Sequence, residues 1–271
     1  MRDIHNHIIY GIDDGAKTIE DSILIIKEMV RVGYKDIIFT PHYISGSTYT
    51  SDNKDKQERL SKIRSILDSE KVEVNLYMGN EVFIDFGLID RMREGKIRTL
   101  NNSRYLLIEF SLNNKLSIDK EILFELRNAG CIPILAHPER YTEYFNDFDF
   151  FKDLIDMGVL LQGNLKTLMG KYGSVAKGML EELLRKDMIH FMASDVHRVE
   201  DMSYIEKMVE DLESIVGKER AKELIDTNIL NVIEDKDITA YEIKEEKKHH
   251  MFDKMKFNFK LGGTSTWMKG Y

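Results

Sequence analysis

Arg2-Asp3-Ile4-His5-Asn6-His7 stands near the start of the chain, an apolar-periodic stretch from Thr18 to Val32 follows, and Asp36-Ile37-Ile38-Phe39-Thr40-Pro41-His42 returns to a short apolar run. The reading is strand, helix, strand, with each strand ending in residues that can ligate metal. In the helix Thr18 is placed to cap, Ile23, Ile26, Met29 and Val30 share a face, and Gly33 ends it. Working outward, the same unit repeats. Short apolar runs occupy residues 2–5, 36–40, 74–79, 105–110, 132–136, 159–162 and 190–193, separated by helical patterns such as 174–186. Seven such runs predict parallel strands covered on both faces. No linker, low-complexity segment or internal repeat interrupts them. Residues 1–243 are therefore expected to form one α/β domain of seven β/α units, either a TIM-like (β/α)7 barrel or an open wound sheet. Polar residues at the strand ends favour the barrel.

The chain has 271 residues, 42% of them apolar, enough for one sizeable core. Its 39 basic and 47 acidic side chains leave a net charge of −8, which argues against a general nucleic-acid-binding surface. With Cys131 alone there is no internal disulfide and no thiolate zinc site, so any metal must be held by imidazoles and carboxylates. That suits a reducing cytoplasm. No apolar signal segment opens the sequence and no run approaches the ~20 residues of a membrane span, so a cytoplasmic protein is expected.

Residues 244–271 differ from the body. They hold seven lysines and three acids together with His249, His250, Phe252, Phe257, Phe259 and Trp267, which sets a tail of +4 on a body of −12. A flexible, solvated end is expected, and its mixture of lysine and aromatic residues could instead rest on an anionic membrane surface or a partner.

On an extended segment residues i and i+2 point the same way, so His5 and His7 can face one ion. Other strand ends carry Thr40-Pro41-His42, Gly79-Asn80-Glu81, Ile108-Glu109, Ala136-His137-Pro138-Glu139-Arg140 and Ser194-Asp195-Val196-His197. In a β/α barrel such ends converge on one face. The eight candidates His5, His7, His42, Glu81, Glu109, His137, Asp195 and His197 exceed the roughly three protein ligands of a catalytic zinc, which implies two or three ions. Taken singly, each could be a helix cap or a packed side chain. Taken together and uncompensated, they would be costly in repulsion and desolvation. His190, at the opposite end of its strand, reads as structural.

Asp-x-His-x-His at 3–7, Gly-x-Asp-Asp-Gly at 11–15, Thr-Pro-His at 40–42, Gly-Asn-Glu at 79–81, His-Pro-Glu-Arg at 137–140 and Ser-Asp-x-His at 194–197 together resemble the polymerase-and-histidinol-phosphatase superfamily of metal-dependent phosphoesterases. Asp-Asp-Gly followed by a helix opening at Thr18, with Gly-Asn-Glu, is similar to the bacterial manganese-dependent protein-tyrosine phosphatases of capsule and exopolysaccharide operons. The resemblance covers residues 1 to about 240. It implies a distorted seven-stranded barrel, with His5, His7, Glu81, Glu109 and Asp195 around one ion, Glu81 bridging, and His42, His137 and His197 completing neighbouring sites. It implies manganese, although imidazole-rich sites also take zinc or iron. It further implies a phosphorylated tyrosine autokinase as partner, near the inner face of the membrane. The family places a second phosphate-binding arginine several residues beyond the last histidine; here Met202 lies in that stretch and Arg198 follows His197 directly.

Other phosphatase chemistries find no footing. The residue six beyond Cys131 is His137, where a cysteine phosphatase needs arginine, and Cys131 opens an apolar strand. Neither a Gly-x-x-x-x-Gly-Lys-Ser/Thr loop nor a Gly-x-Ser-x-Gly elbow is present. The expected activity is hydrolysis of a phosphomonoester by metal-activated water, with Arg140 neutralising charge on the phosphoryl oxygens. Of Asp13 and Asp14, one could orient the water or protonate the leaving group and the other could cap the helix entry; Asp14 is favoured for chemistry. Two rival readings are a small-molecule phosphatase, for example of histidinol phosphate, and a regulatory binding module of a membrane kinase complex.

Overall fold

A computed structural model describes residues 1–50, 52–111, 120–145, 147–238, 243 and 244. Within them, against seven expected runs, there are nine short strands: β1 (Arg2–Asp3), β2 (Asp36–Phe39), β3 (His42–Tyr43), β4 (Asn75–Met78), β5 (Glu81–Phe83), β6 (Tyr105–Glu109), β7 (Ile132–Ala136), β8 (Leu160–Asn164) and β9 (Phe191–Ala193). Two strands are additional: β3 and β5 follow just beyond the expected runs 36–40 and 74–79. Pro41 has no N–H to continue a ladder after β2. At Gly79 an added Cβ would meet the Leu100 side chain at 2.8 Å, so the chain bends there at a close approach that only glycine permits.

All pairings between named strands are parallel, in a three-stranded sheet ordered β1-β2-β4 and a six-stranded sheet ordered β3-β5-β6-β7-β8-β9. This corrects the expectation of seven strands in one closed sheet: the described residues form nine, and neither sheet closes on itself. Bonds just beyond the strand ends link the sheets. Asn6 bridges Val196, the His7 amide donates to the Val196 carbonyl (2.9 Å), and the Asp195 amide donates to the His5 carbonyl (2.8 Å).

The strands are buried on both sides, as parallel strands between layers must be. Alternate residues serve different cores. Leu106, Ile108 and Leu135 pack toward the helices, while Tyr105, Leu107, Ile134 and Ala136 join Ile4, Ile38 and Phe191 in a second cluster. Helix α1 (Ile19–Arg31) begins as read from the sequence: Thr18 caps it, with Asp21 completing a capping box. Gly33, at φ +98°, turns the chain away after it. Helix α2 (Asn53–Ser69) packs beside α1. Among the described residues no helix is long and apolar enough to cross a membrane.

Ile243 packs on the core and Lys244 pairs with Asp187 at 2.6 Å. The rest of the proposed tail, 245–271, lies outside the described residues.

Candidate metal centre

Strand ends and the loops after them bring the eight candidate ligands together. His5 and His7, just past β1, turn their Nε2 atoms to within 3.4 Å of each other. Glu81, at the start of β5 and fully buried, places Oε1 3.3 Å from His5 Nε2 and 3.0 Å from His137 Nε2. Its Oε2 lies 3.3 Å from His7 Nε2 and 3.0 Å from His42 Nδ1. Glu109, at the end of β6, reaches His42 Nδ1 at 3.2 Å. Asp195 Oδ1 stands 3.5–3.6 Å from His5, His7 and His197. His137 (φ 38°) and Asp195 (φ 47°) adopt left-handed backbone, which turns the chain sharply where each strand ends.

Hydrogen bonds outside the cluster orient the rings within it. His5 Nδ1 lies 2.6 Å from Gln162 Oε1. The amide orientation of Gln162 is set because its Nε2 donates to the Gly163 carbonyl and to Asn164 Oδ1. His5 Nδ1 must therefore be a donor, and Nε2 is the ring nitrogen aimed inward. His7 Nδ1 likewise faces Asp13 Oδ2 at 2.8 Å. The two Nε2 atoms, 3.4 Å apart and facing the same carboxylates, would be satisfied together by a shared cation in place of protons.

Asp195 is held in the same way. Its Oδ2 accepts from Asn164 Nδ2 (2.7 Å) and the Tyr172 hydroxyl (3.0 Å) and lies 3.2 Å from Lys166 Nζ, leaving Oδ1 for the cluster. At Gly15 an added Cβ would sit 1.8 Å from the His7 carbonyl oxygen, so glycine alone lets the Asp13-Asp14 loop close over His7.

The electrostatics match. Burial opposes charge on Glu81, yet His5 and His42 hold its carboxyl well below the usual range. Burial also opposes charge on His7 and His42, but Asp13 and Glu81 raise the first to about 10, and Glu81 and Glu109 raise the second to about 12. The carboxylates thus create a place that favours positive charge, filled by protons or by metal. Glu81 Oε2 and His42 Nδ1, though 3.0 Å apart, find no hydrogen-bond partner among the described residues. Oxygen and nitrogen ligand atoms converging on common points are what divalent cations require.

Three overlapping groups have this geometry: His5, His7 and Glu81; His42, Glu81 and Glu109; and His7, Asp14, His42 and His197. Glu81 belongs to two of them. Asp14 joins the third, 3.6 Å from His42 Nε2 and 3.5 Å from His197 Nε2. Neither aspartate caps α1: Asp13 holds His7 and the amides of Gly15 and His42. His137 and Asp195 flank the groups through Glu81, His5 and His7.

Above the cluster lies a pocket of about 600 Å³, whose wall includes Arg140, Lys166, Lys171, Tyr172 and Arg198. The Arg140 guanidinium lies over the Tyr172 ring at 4.7 Å. Arg198 is exposed at the rim. His190 is elsewhere and buried, its Nδ1 accepting from the Leu161 amide at 3.1 Å. Burial pushes the Cys131 thiol up to about 12, consistent with an inert side chain.

Gln162, Asn164, Lys166 and Tyr172 were not singled out in the sequence. Their signal was alternation: β8 runs two residues beyond the expected Gln162, and Gln162, Asn164 and Lys166 follow at spacing two.

The profile of a family described as capsular polysaccharide synthesis, CpsB/CapC, matches residues 1–234. The chain belongs to the CpsB/CapC family. A CpsB/CapC chain of this kind is similar to tyrosine-protein phosphatase CpsB of Streptococcus pneumoniae, at 30% identity over 241 residues, 87% of this chain and 99% of that protein. It is 31% identical over 205 residues to tyrosine-protein phosphatase YwqE of Bacillus subtilis, covering 75% and 80% of the two chains. A solved structure reported with YwqE from Bacillus subtilis and CpsB from Streptococcus pneumoniae as unique metal-dependent tyrosine phosphatases superposes with TM-score 0.83 and 28% identity, covering 90% of this chain and 100% of that one.

Proposed function

We propose that the chain is a metal-dependent phosphatase of protein phosphotyrosine, acting on a tyrosine autokinase of capsule or exopolysaccharide synthesis. The observation that carries this is the convergence of His5 Nε2 and His7 Nε2, 3.4 Å apart, on the two oxygens of the buried Glu81 carboxylate, each at 3.3 Å. His5, His7, His42, Glu81, Glu109, His137, Asp195 and His197 would hold two or three divalent ions, manganese foremost, with Glu81 shared. When bound there, such ions supply a water made nucleophilic at neutral pH and positive charge for phosphoryl oxygens.

The chain's own groups do the rest. Arg140, braced on Tyr172, binds phosphoryl oxygens as their charge grows, and Lys166 adds fixed positive charge from the pocket wall. The carboxyl of Asp14 is held below its ordinary range, first by its hydrogen bond with His197. As an anion at the mouth it can orient a water or complete the outer ligand group, rather than donate a proton. A phenolate leaving group, with a parent pKa near ~10, tolerates weak acid help. Arg198 would meet the substrate at the rim.

This reading treats the two sheets, joined by the Asn6–Val196 bridge, as the wall of a distorted barrel in a single domain, with the basic residues 244–271 outside it serving contact with a membrane-bound partner. The deciding experiment compares kcat/KM on a phosphotyrosyl peptide and on histidinol phosphate with manganese present. Preference for the peptide supports the proposal; strong preference for histidinol phosphate overturns the substrate while leaving the metal centre.

A further inference from the structure

Two further concavities continue outward from the pocket over the metal centre. The first, about 260 Å³, shares His197 and Arg198 with that pocket. Its lining sets the apolar Ala16, Leu24, Ile25 and Val199 beside Lys17, Asp21 and Glu200. The second, about 440 Å³, shares Leu24 with the first and lies between α1 and α2, over Ile19, Ile23 and Ile66. The Lys27–Glu70 ion pair, at 2.7 Å, forms its edge. Leu24, common to both, is 53% exposed on a helix whose neighbours Ile23, Ile25 and Ile26 are buried.

A small phosphoester would end within the first pocket. A polypeptide would have to leave it over Arg198, and the surface beyond is a path that begins mixed in polarity and becomes mostly apolar between α1 and α2. Resting on the phosphotyrosine reading above, we propose that this path is a subsite for the polypeptide flanking the phosphotyrosine, and that an apolar side chain a few residues away packs on Leu24. The continuity of the path with the catalytic mouth singles out this occupant, because His197 and Arg198 line both. Leu24 lines the same concavity as His197 and Arg198, and an extended chain advances about 3.3 Å per residue, so residues flanking the phosphotyrosine run onto it.

The test uses full-length, manganese-loaded enzyme with three substrates: free phosphotyrosine, a phosphotyrosyl peptide flanked by leucines, and the same peptide with the leucines replaced by aspartates. Wild type should prefer the leucine peptide over the aspartate peptide by about tenfold, the effect of one lost apolar contact. Leu24→Asp should abolish that preference through KM and leave free phosphotyrosine within about twofold, and Leu24→Ala should fall between. Equal turnover of both peptides by wild type, or loss of activity on all three substrates in both variants, overturns the subsite. So does a change of oligomeric state in Leu24→Asp, which would assign the groove to a second copy. If wild type hydrolyses none of the three, the phosphotyrosine reading itself has failed and the subsite falls with it.

Discussion

Asp13 Oδ2 lies 2.8 Å from His7 Nδ1, and the same oxygen accepts the backbone amide of His42 at 3.0 Å. One carboxylate thus fixes a ring after β1 and the backbone that carries a second candidate ligand. Burial would raise the Asp13 carboxyl, but His7 and the Gly15 amide hold it low, so it stays anionic beside the ring.

Asp13→Asn keeps the shape and removes the charge that holds the His7 proton on Nδ1. Manganese affinity, measured by isothermal titration calorimetry, should fall about 10- to 100-fold, the usual cost of losing such a partner. Unchanged affinity would reduce Asp13 to a loop contact.

Arg140→Ala should lower kcat by about 10²-fold or more while metal content stays at the wild-type level, because the guanidinium faces the pocket and contacts Tyr172 instead of the candidate ligands. Steady-state kinetics beside elemental analysis checks this. A normal kcat with a lowered melting temperature would make Arg140 structural.

The candidate ligands were legible because each follows an apolar run, and a run that stops at histidine or a carboxylate stands out. The fate of the sheet was not. Nothing in Phe39-Thr40-Pro41-His42 or Met78-Gly79-Asn80-Glu81 shows that a further strand, in a different sheet, follows just beyond each run; that depends on the missing Pro41 donor and on Leu100, distant in sequence, pressing against Gly79. Nor could the roles of Asp13 and Asp14 be separated, since the choice depends on which carboxylate faces His7 after the loop closes. Gln162 and Asn164 escaped notice because amides are ordinary in strands until their partners, His5 and Asp195, are known.

His190 makes a prediction about pH. Burial first, then Arg220, pushes its pKa from 6.5 down to about 4, and its neutral Nδ1 accepts a backbone bond. The unfolded chain takes up this proton at higher pH than the folded one. The contribution is therefore full above pH 6.5 and is lost as pH falls toward 4, roughly 3 kcal/mol in all. Urea unfolding of wild type and His190→Gln from pH 7 to 4.5 should show the wild-type advantage shrinking across that window; parallel curves would contradict the assignment.

Removing residues 245–271 retains the Lys244–Asp187 pair and deletes most of the basic tail. Hydrolysis of a small aryl phosphate should stay within about twofold, while dephosphorylation of a membrane-embedded tyrosine autokinase should slow, with the difference shrinking at high salt as charges are screened. Equal losses on both substrates would place the tail in the fold, and no loss on either would make it dispensable.

Metal removal tests the central claim most directly. Purified protein should be stripped with a chelator, its metal content measured by elemental analysis, and hydrolysis of a phosphotyrosyl peptide followed as manganese is returned. The account predicts negligible turnover in the stripped protein and recovery that saturates as two or three ions bind per chain. Full activity in protein shown to be free of metal would contradict it.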